Sequence, residues 1–256
     1  PAPPAPAPRR IEFVGDSETA GFGNLGPSEP GSPGFWSFLT MDPADEDATE
    51  AWPAVVSGAL GAEFTTVAWS GMGVRWNAPG HGCTTRRTML EAYGALLGAE
   101  VDAPRQADPE DWARWVPDIV VVYIGGNDWY TLAASGDREA ALDELSGACA
   151  GLVRAIRAVR PASAVLVLLA SRESFCACIA TLEEQACFAD DMTRCWRQAV
   201  EAVGDPRIRL ETVRPDPMID VADPSDWGQM AHWSAQGHGK WARAAAPLIA
   251  RHAGWA

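Results

Sequence analysis

Four residues of this 256-residue chain carry the groups that acyl transfer requires, although they lie far apart in the sequence. Ester hydrolysis needs a nucleophilic hydroxyl, a base that takes its proton, and hydrogen-bond donors for the oxyanion that forms on the attacked carbonyl. Ser17 in GDSETAGFGN supplies a hydroxyl, and His232 in QMAHWSAQGHG supplies a base. Gly71 in AWSGMGVRWN offers an uncrowded backbone N–H, and Asn127 in GGND offers a side-chain amide.

Each of these residues also has an ordinary structural interpretation when it is taken alone. A serine after Gly-Asp is often part of a turn or the cap of a helix, and Gly71 and Asn127 fit turns at strand ends. A histidine just before a helix is more often incidental than catalytic. The other three histidines are poorer candidates for the base, because they lie in a Gly-rich loop, near the last helix and almost at the C-terminus: His81, His238 and His252.

Continuous apolar runs predict the strands that would position these residues. The runs begin at Ile11, Phe64, Pro117 and Ser163, and each ends in small or polar residues. The near-continuous Val, Ile and Leu content of the last two is typical of parallel strands that are covered on both faces.

Helical patterns alternate with these runs along the chain. The clearest extend from Arg138 to Pro161, from Asp190 to Gly204 and from Ser234 onward. The alternation predicts an α/β fold, a three-layer α/β/α sandwich with a parallel central sheet. Working residues in such sheets lie in loops at the carboxyl ends of the strands, where Ser17, Gly71 and Asn127 fall.

The four sequence blocks, taken in this order, resemble the signature blocks of the SGNH hydrolases, which have a flavodoxin-like sandwich fold. GDSETAGFGN, SGMGVRWN, WVPDIVVVYIGGNDW and HWSAQGHGKWA are most similar to carbohydrate esterase family two, the deacetylases of xylan and other polysaccharides. The resemblance extends from about Ile11 to Ala250. It implies a serine esterase in which Ser17 is the nucleophile, His232 is the base, and Gly71, Asn127 and the Ser17 N–H stabilise the oxyanion. The implied substrate is an acylated, above all acetylated, carbohydrate.

One departure from the family pattern concerns the group that orients the imidazole of His232. Most relatives have an aspartate two or three residues before the histidine, whereas this chain has Gln229 and Met230 there. Asp226 is the nearest aspartate and the first candidate for this role, with Asp223 as the second. A backbone carbonyl is the third candidate, and it would leave a Ser-His dyad.

Two tryptophans beside the motifs are candidates for stacking on a sugar ring. Trp129 follows the GGND block, and Trp233 stands next to His232 where relatives commonly have proline. Large aromatic side chains are more often core residues, so burial is the competing interpretation for both.

A Pro-rich segment, PAPPAPAPRR, precedes the predicted hydrolase. We assign residues 1–10 to a spacer or a frayed terminus and residues 11–256 to one catalytic domain. Members of family two usually carry a β-sandwich domain ahead of the hydrolase, so the spacer is a candidate tether to an upstream module.

The composition of the chain limits its possible binding partners and the cellular compartment in which it would work. A formal net charge of −14 argues against nucleic acid, and no apolar run has the length of a membrane span. The chain has an even number of cysteines, which favours disulfides and a secreted protein and leaves reduced structural thiols in a cytosolic protein as the alternative. The spacing of these cysteines disfavours a zinc site; they are Cys83, Cys149, Cys176, Cys178, Cys187 and Cys195. No cofactor is implied, because neither standard phosphate-binding glycine motif is present.

Two other functions are compatible with the same sequence. A lipase, lysophospholipase or thioesterase on this scaffold would have a long apolar groove and would act faster on longer acyl chains. A carbohydrate-binding module would retain the fold with little turnover.

Overall fold

Five parallel strands form the central sheet of this computed structural model, which describes residues 9–27, 42–79, 86–93, 109–171, 182–220 and 223–255. The strands are β1 (Arg9–Gly15), β2 (Ala62–Ala68), β3 (Ile119–Tyr123), β4 (Ala164–Ala170) and β5 (Ile208–Val213). They lie in the order β2-β1-β3-β4-β5, and each neighbouring pair is parallel. The predicted parallel α/β sheet is confirmed. We did not predict β5, an edge strand whose apolar residues alternate with charged ones.

Helices cover both faces of this sheet. In the described part of the chain they are α1 (Ser17–Ala20), α2 (Trp52–Leu60), α3 (Met89–Ala92), α4 (Pro109–Arg114), α5 (Trp129–Ala134), α6 (Arg138–Val159), α7 (Leu182–Val203) and α8 (Ala235–His252). Val120 and Val122 point into the core beneath α6 and α7, and Ile119 and Val121 point into the core beneath α2 and α8. This alternation explains why β3 is apolar at successive positions, and it confirms the three-layer sandwich.

The ends of two long helices follow the caps that the sequence predicts. Helix α6 begins after Asp137, whose side chain accepts the N–H of Ala140, and it ends just before Pro161. Helix α8 begins after Ser234, whose hydroxyl accepts the N–H of Gly237 at 3.2 Å. Helix α7 begins earlier than we predicted, at Leu182, because no glycine or proline interrupts the sequence between that residue and Asp190.

The register of the first three strands brings the candidate residues to one edge. Gly15 pairs with Ala68 of β2 on one side and with Tyr123 of β3 on the other. The connection from β1 leads to β2 on one side of it, and the next strand, β3, lies on the other side. Ligands of open α/β sheets bind at such a reversal of strand order. The loops that follow β1, β2 and β3 therefore emerge side by side.

The N-terminal boundary of the sheet lies slightly ahead of the one we assigned. Arg9 and Arg10, placed in the Pro-rich segment by the sequence analysis, belong to β1. Arg9 pairs with Ala62, and the N–H of Arg10 donates to Asp118 at 2.8 Å. Residues 1–8 lie outside the described residues.

Disulfides are not seen among the described cysteines. Cys149 and Cys195 are buried in the core between the sheet and helices α6 and α7, and Cys187 is exposed; all three are free thiols. The prediction for Cys83, Cys176 and Cys178 falls outside the described residues. None of the described helices has the length and apolar character needed to cross a membrane.

Candidate active site

Ser17 stands at the first position of α1, directly after β1. Asp16 caps this short helix by accepting the N–H of Glu18 at 3.3 Å. The turn is so tight that a side-chain carbon at Gly15 would lie 1.9 Å from the hydroxyl of Thr19, so only glycine fits there. The strand-to-helix turn therefore presents the Ser17 side chain at the carboxyl edge of the sheet.

The hydroxyl of Ser17 contacts the imidazole of His232. The distance from Ser17 Oγ to His232 Nε2 is 2.8 Å, and His232 Nδ1 lies 3.1 Å from the carbonyl oxygen of Met230. A carbonyl oxygen only accepts hydrogen bonds, so Nδ1 carries the proton and Nε2 is left to accept from the serine. This is the arrangement required of a nucleophile and its base.

An irregular loop before α8 holds His232 in place. Met230 has left-handed backbone angles (φ 51°, ψ 35°), which direct its carbonyl toward the imidazole two residues later. The loop is closed by a bond from Gly228 N–H to the His232 carbonyl at 2.8 Å and is tied to the loop after α1 by Gln229 N–H donating to Gly23 O at 2.8 Å. A left-handed conformation at a residue with a side chain costs roughly 1 kcal/mol, which these contacts offset.

The structure does not bring Asp226 to the imidazole, and our first candidate for the orienting group is corrected. Asp226 is fully buried and accepts from Lys240 Nζ at 2.5 Å, from Asp220 N–H at 2.8 Å and from Gln236 Nε2 at 3.0 Å. These three donors occupy both carboxylate oxygens of Asp226. A buried lysine ammonium needs a paired carboxylate, and Asp226 fills that role for Lys240.

Asp223, the second candidate, is also occupied elsewhere. It accepts the backbone N–H of Ser225 at 2.9 Å and the Ser225 hydroxyl at 2.6 Å, and so caps a turn of 3₁₀ helix. The Met230 carbonyl, the third candidate, contacts Nδ1 of His232.

Asn127 lies at the same edge of the sheet, in a 3₁₀ turn after β3. Its amide nitrogen donates to the Met72 carbonyl at 3.1 Å and lies 3.5 Å from the Asp16 carboxylate. Met72 follows Gly71, which is buried and has a left-handed φ of 76°. The structure thus brings the Asn127 side chain between the Ser17 turn and the Gly71 loop.

Asp128 is a residue of this site that the sequence analysis missed. Its buried carboxylate accepts three successive backbone N–H groups, those of Val74, Arg75 and Trp76, each at 2.8 Å. Burial raises the pKa of Asp128 to about 6, against the lowering effect of these bonds. Asp128 therefore anchors the loop that carries Gly71 to the turn that carries Asn127. The adjacency of an aspartate to the GGN block was the available sequence signal.

A cavity of about 220 Å³ opens at the Ser17 hydroxyl. Its polar lining includes Asp16, Ser17, Glu18, Asn127 and His232, and its apolar lining includes Ile124, Tyr130, Leu168, Leu169, Ala170, Ala189, Met192 and Met230. The volume is below the usual range of roughly 300–1,000 Å³ for sites that enclose drug-sized ligands. The cavity therefore suits a small group presented by a larger molecule.

The two tryptophans predicted to stack on a sugar ring differ in burial and in their distance from the cavity. Trp233 borders the cavity but is 1% exposed, with its ring stacked on Tyr123 at 5.8 Å and packed against Trp241 at 4.7 Å. Trp129 is half-buried, packs against the core beneath α6 and α7, and does not line the cavity. Burial, the competing interpretation, is therefore correct for Trp233. Tyr130, the neighbour of Trp129 in the sequence, lines the cavity.

Comparison with known proteins places this chain in a family. The sequence profile of the GDSL-like lipase/acylhydrolase family matches residues 13–240, from β1 to the second turn of α8. The chain belongs to the GDSL-like lipase/acylhydrolase family. Over 130 residues it is 31% identical to the cellulase/esterase CelE of Acetivibrio thermocellus, a match that covers 51% of this chain and 14% of CelE.

Solved structures similar to this acylhydrolase include carbohydrate esterases of family two. One, from Corynascus thermopiles (Myceliophthora fergusii) and including a carbohydrate-binding domain, is 26% identical with a TM-score of 0.76, covering 99% of this chain and 69% of that one. A family two esterase from Clostridium thermocellum, in complex with cellohexaose, is 22% identical with a TM-score of 0.74, covering 100% and 67%. The acetyl xylan esterase Est2A of Butyrivibrio proteoclasticus is 18% identical with a TM-score of 0.71, covering 98% and 65%. The chain therefore spans about two thirds of the length of these structures.

The environment of His232 predicts an acid-tolerant reaction. Burial lowers the pKa of His232 to about 4, partly offset by hydrogen bonds to the backbone of Met230 and Gln229. Only the neutral imidazole accepts the serine proton, so kcat/KM for 4-nitrophenyl acetate should hold down to about pH 5 and fall as the pH drops through the pKa of His232. A fall near neutral pH would instead point to Asp16, whose pKa is raised to about 7 by burial.

Proposed function

We propose that this chain is a carbohydrate esterase that removes small acyl groups, acetyl in particular, by means of a Ser17–His232 dyad. The observation that carries the proposal is the 2.8 Å contact between Ser17 Oγ and His232 Nε2, with Nδ1 held by a backbone carbonyl. Membership of an acylhydrolase family supports ester cleavage. The likeness to family two carbohydrate esterases, one of them an acetyl xylan esterase, supports an acylated carbohydrate as the substrate.

The reaction proceeds in two halves through an acyl-enzyme. His232 Nε2 takes the proton of Ser17 as its oxygen attacks the ester carbonyl carbon, and the oxyanion is held by the N–H groups of Ser17 and Gly71 and by the Asn127 amide. The protonated imidazole then gives its proton to the departing sugar oxygen. Water, deprotonated by the same imidazole, attacks the acyl-enzyme and releases the free acid and Ser17.

The charges around the cavity support a neutral substrate. The carboxyl groups among its lining residues are those of Asp16 and Glu18, and none of these lining residues is a lysine or an arginine. The whole chain has a formal net charge of −14. An anionic acyl or sugar group would therefore meet the Glu18 carboxylate and no compensating cation among these lining residues.

The test is the choice of substrate by the wild-type protein. We expect 4-nitrophenyl acetate to be cleaved faster than the butyrate, and the butyrate faster than the octanoate, together with release of acetate from acetylated xylan. The lipase alternative is supported by the apolar side chains of Leu168, Leu169 and Met192 in the cavity lining. Rates that rise with the length of the acyl chain would favour that alternative. Binding of cellohexaose without turnover of any ester would favour a carbohydrate-binding module.

A further inference from the structure

A carboxylate that the mechanism does not use lies next to the nucleophile. Glu18 directly follows Ser17 in α1, lines the cavity and is 9% exposed. Burying a carboxylate is costly unless hydrogen bonds compensate it. Its partners therefore indicate what the side chain does.

The first partner of Glu18 is the backbone of the base loop. The N–H of Trp233 lies 3.2 Å from Oε1 and 3.3 Å from Oε2, so it is shared between the two oxygens. Trp233 is the residue that follows His232. The carboxylate one residue after the nucleophile thus contacts the backbone one residue after the base.

The second partner is His238, in the first turns of α8. It is fully buried, and its Nδ1 accepts the N–H of Trp52 at 3.3 Å, so the proton of the neutral ring is on Nε2. Burial, with His232 close by, lowers the pKa of His238 to about 3, which keeps the ring neutral. Nε2 has no hydrogen-bond partner among the described residues and lies 3.8 Å from Glu18 Oε2, so the contact between the two side chains is electrostatic.

We propose, in an inference that rests on the proposed function, that Glu18 is a positioning residue that sets the distance between Ser17 and His232. It holds the base loop from the C-terminal side of the histidine, while the Met230 carbonyl holds the imidazole from the N-terminal side. The two contacts together replace the aspartate that usually fixes the imidazole. Glu18 acts through the backbone of Trp233 and is not itself a proton donor or acceptor in the reaction.

The test compares Glu18→Ala and Glu18→Gln in steady-state kinetics on 4-nitrophenyl acetate. The alanine variant leaves the Trp233 N–H without this acceptor, and we expect kcat to fall by roughly 30- to 100-fold with KM changed less than about twofold, as for a misplaced catalytic group. Glutamine retains one carbonyl oxygen for the N–H, so Glu18→Gln should remain within about tenfold of wild type.

Glu12→Gln is the matched control, because Glu12 is also a buried carboxylate on the same segment. It pairs with Arg160 at 2.5 Å and lies about 10 Å before the end of β1, the end from which the Ser17 turn leaves. We expect this variant to lower the melting temperature and leave kcat unchanged. Wild-type kcat in Glu18→Ala, or a kcat loss in Glu12→Gln of the same size, would overturn the proposal.

A second measurement separates this proposal from the proposed function. Labelling of Ser17 by a fluorophosphonate requires the dyad and no sugar, and its rate should fall in Glu18→Ala by about the same factor as kcat. If wild type cleaves no acetyl ester, the proposed function fails while the labelling rates still test the positioning role. Equal labelling of wild type and Glu18→Ala would refute that role.

Discussion

Ser17→Ala is expected to lower kcat for 4-nitrophenyl acetate by about a million-fold, to the level left by binding and the oxyanion donors alone. The substitution removes the proposed nucleophile, whose Oγ lies 2.8 Å from His232 Nε2, so we expect no acyl-enzyme to form. The measurement is hydrolysis by the purified variant, with folding checked by its melting temperature.

Ser146→Ala serves as the control for this variant. Ser146 lies on α6 and its hydroxyl contacts Leu142 O and Gln198, each at 2.8 Å, well outside the residues that line the cavity. Its removal should leave kcat unchanged. The double variant Ser17→Ala/His232→Ala should be no slower than either single one, because the two residues act as a unit. Substantial turnover by Ser17→Ala would refute the assigned nucleophile.

Asn127→Ala is expected to lower kcat by about a hundred- to a thousandfold and to change KM little. One N–H of the amide donates to the Met72 carbonyl at 3.1 Å, and the nitrogen also lies 3.5 Å from the Asp16 carboxylate, so the second N–H is the one that would donate to the substrate oxygen as negative charge develops. Steady-state kinetics on acetyl and butyryl esters measure the loss.

Asn127→Asp separates the loss of the donor from the loss of volume. The aspartate has nearly the same shape, but it cannot donate when ionised and would place a second carboxylate beside Asp16. Its kcat should fall at least as far as that of the alanine variant. If the aspartate variant kept wild-type kcat, the oxyanion role of Asn127 would be wrong.

The sequence predicted features that depend on local pattern. Val120 and Val122 alternate with Ile119 and Val121 on opposite faces of β3, and this apolar pattern alone indicated a strand covered by helices on both sides. Ser17, Gly71 and Asn127 were placed together because parallel strands end at one edge of a sheet. The order of the four blocks indicated the family that the profile match establishes.

Local pattern misled where a residue type occurs in more than one environment. Trp233 stands beside the base in the sequence, and an indole there suits either a sugar or the core. The structure buries it against Tyr123 and Trp241, from β3 and α8, neither of which its own sequence neighbourhood reveals. Asp226 likewise was chosen by its distance along the chain from His232, whereas it contacts Lys240.

The amino-acid sequence by itself determined which side chains are available for acyl transfer and which edge of the sheet they share, because both follow from residue type and from the period of the strands. Only the tertiary structure decided which contacts hold these side chains in position. The Met230 carbonyl on His232, the Asp128 carboxylate on the Gly71 loop and Glu18 on the Trp233 backbone all involve main-chain groups. Every residue has such groups, so which of them pair depends on how the loops fold against one another and cannot be read from residue type alone.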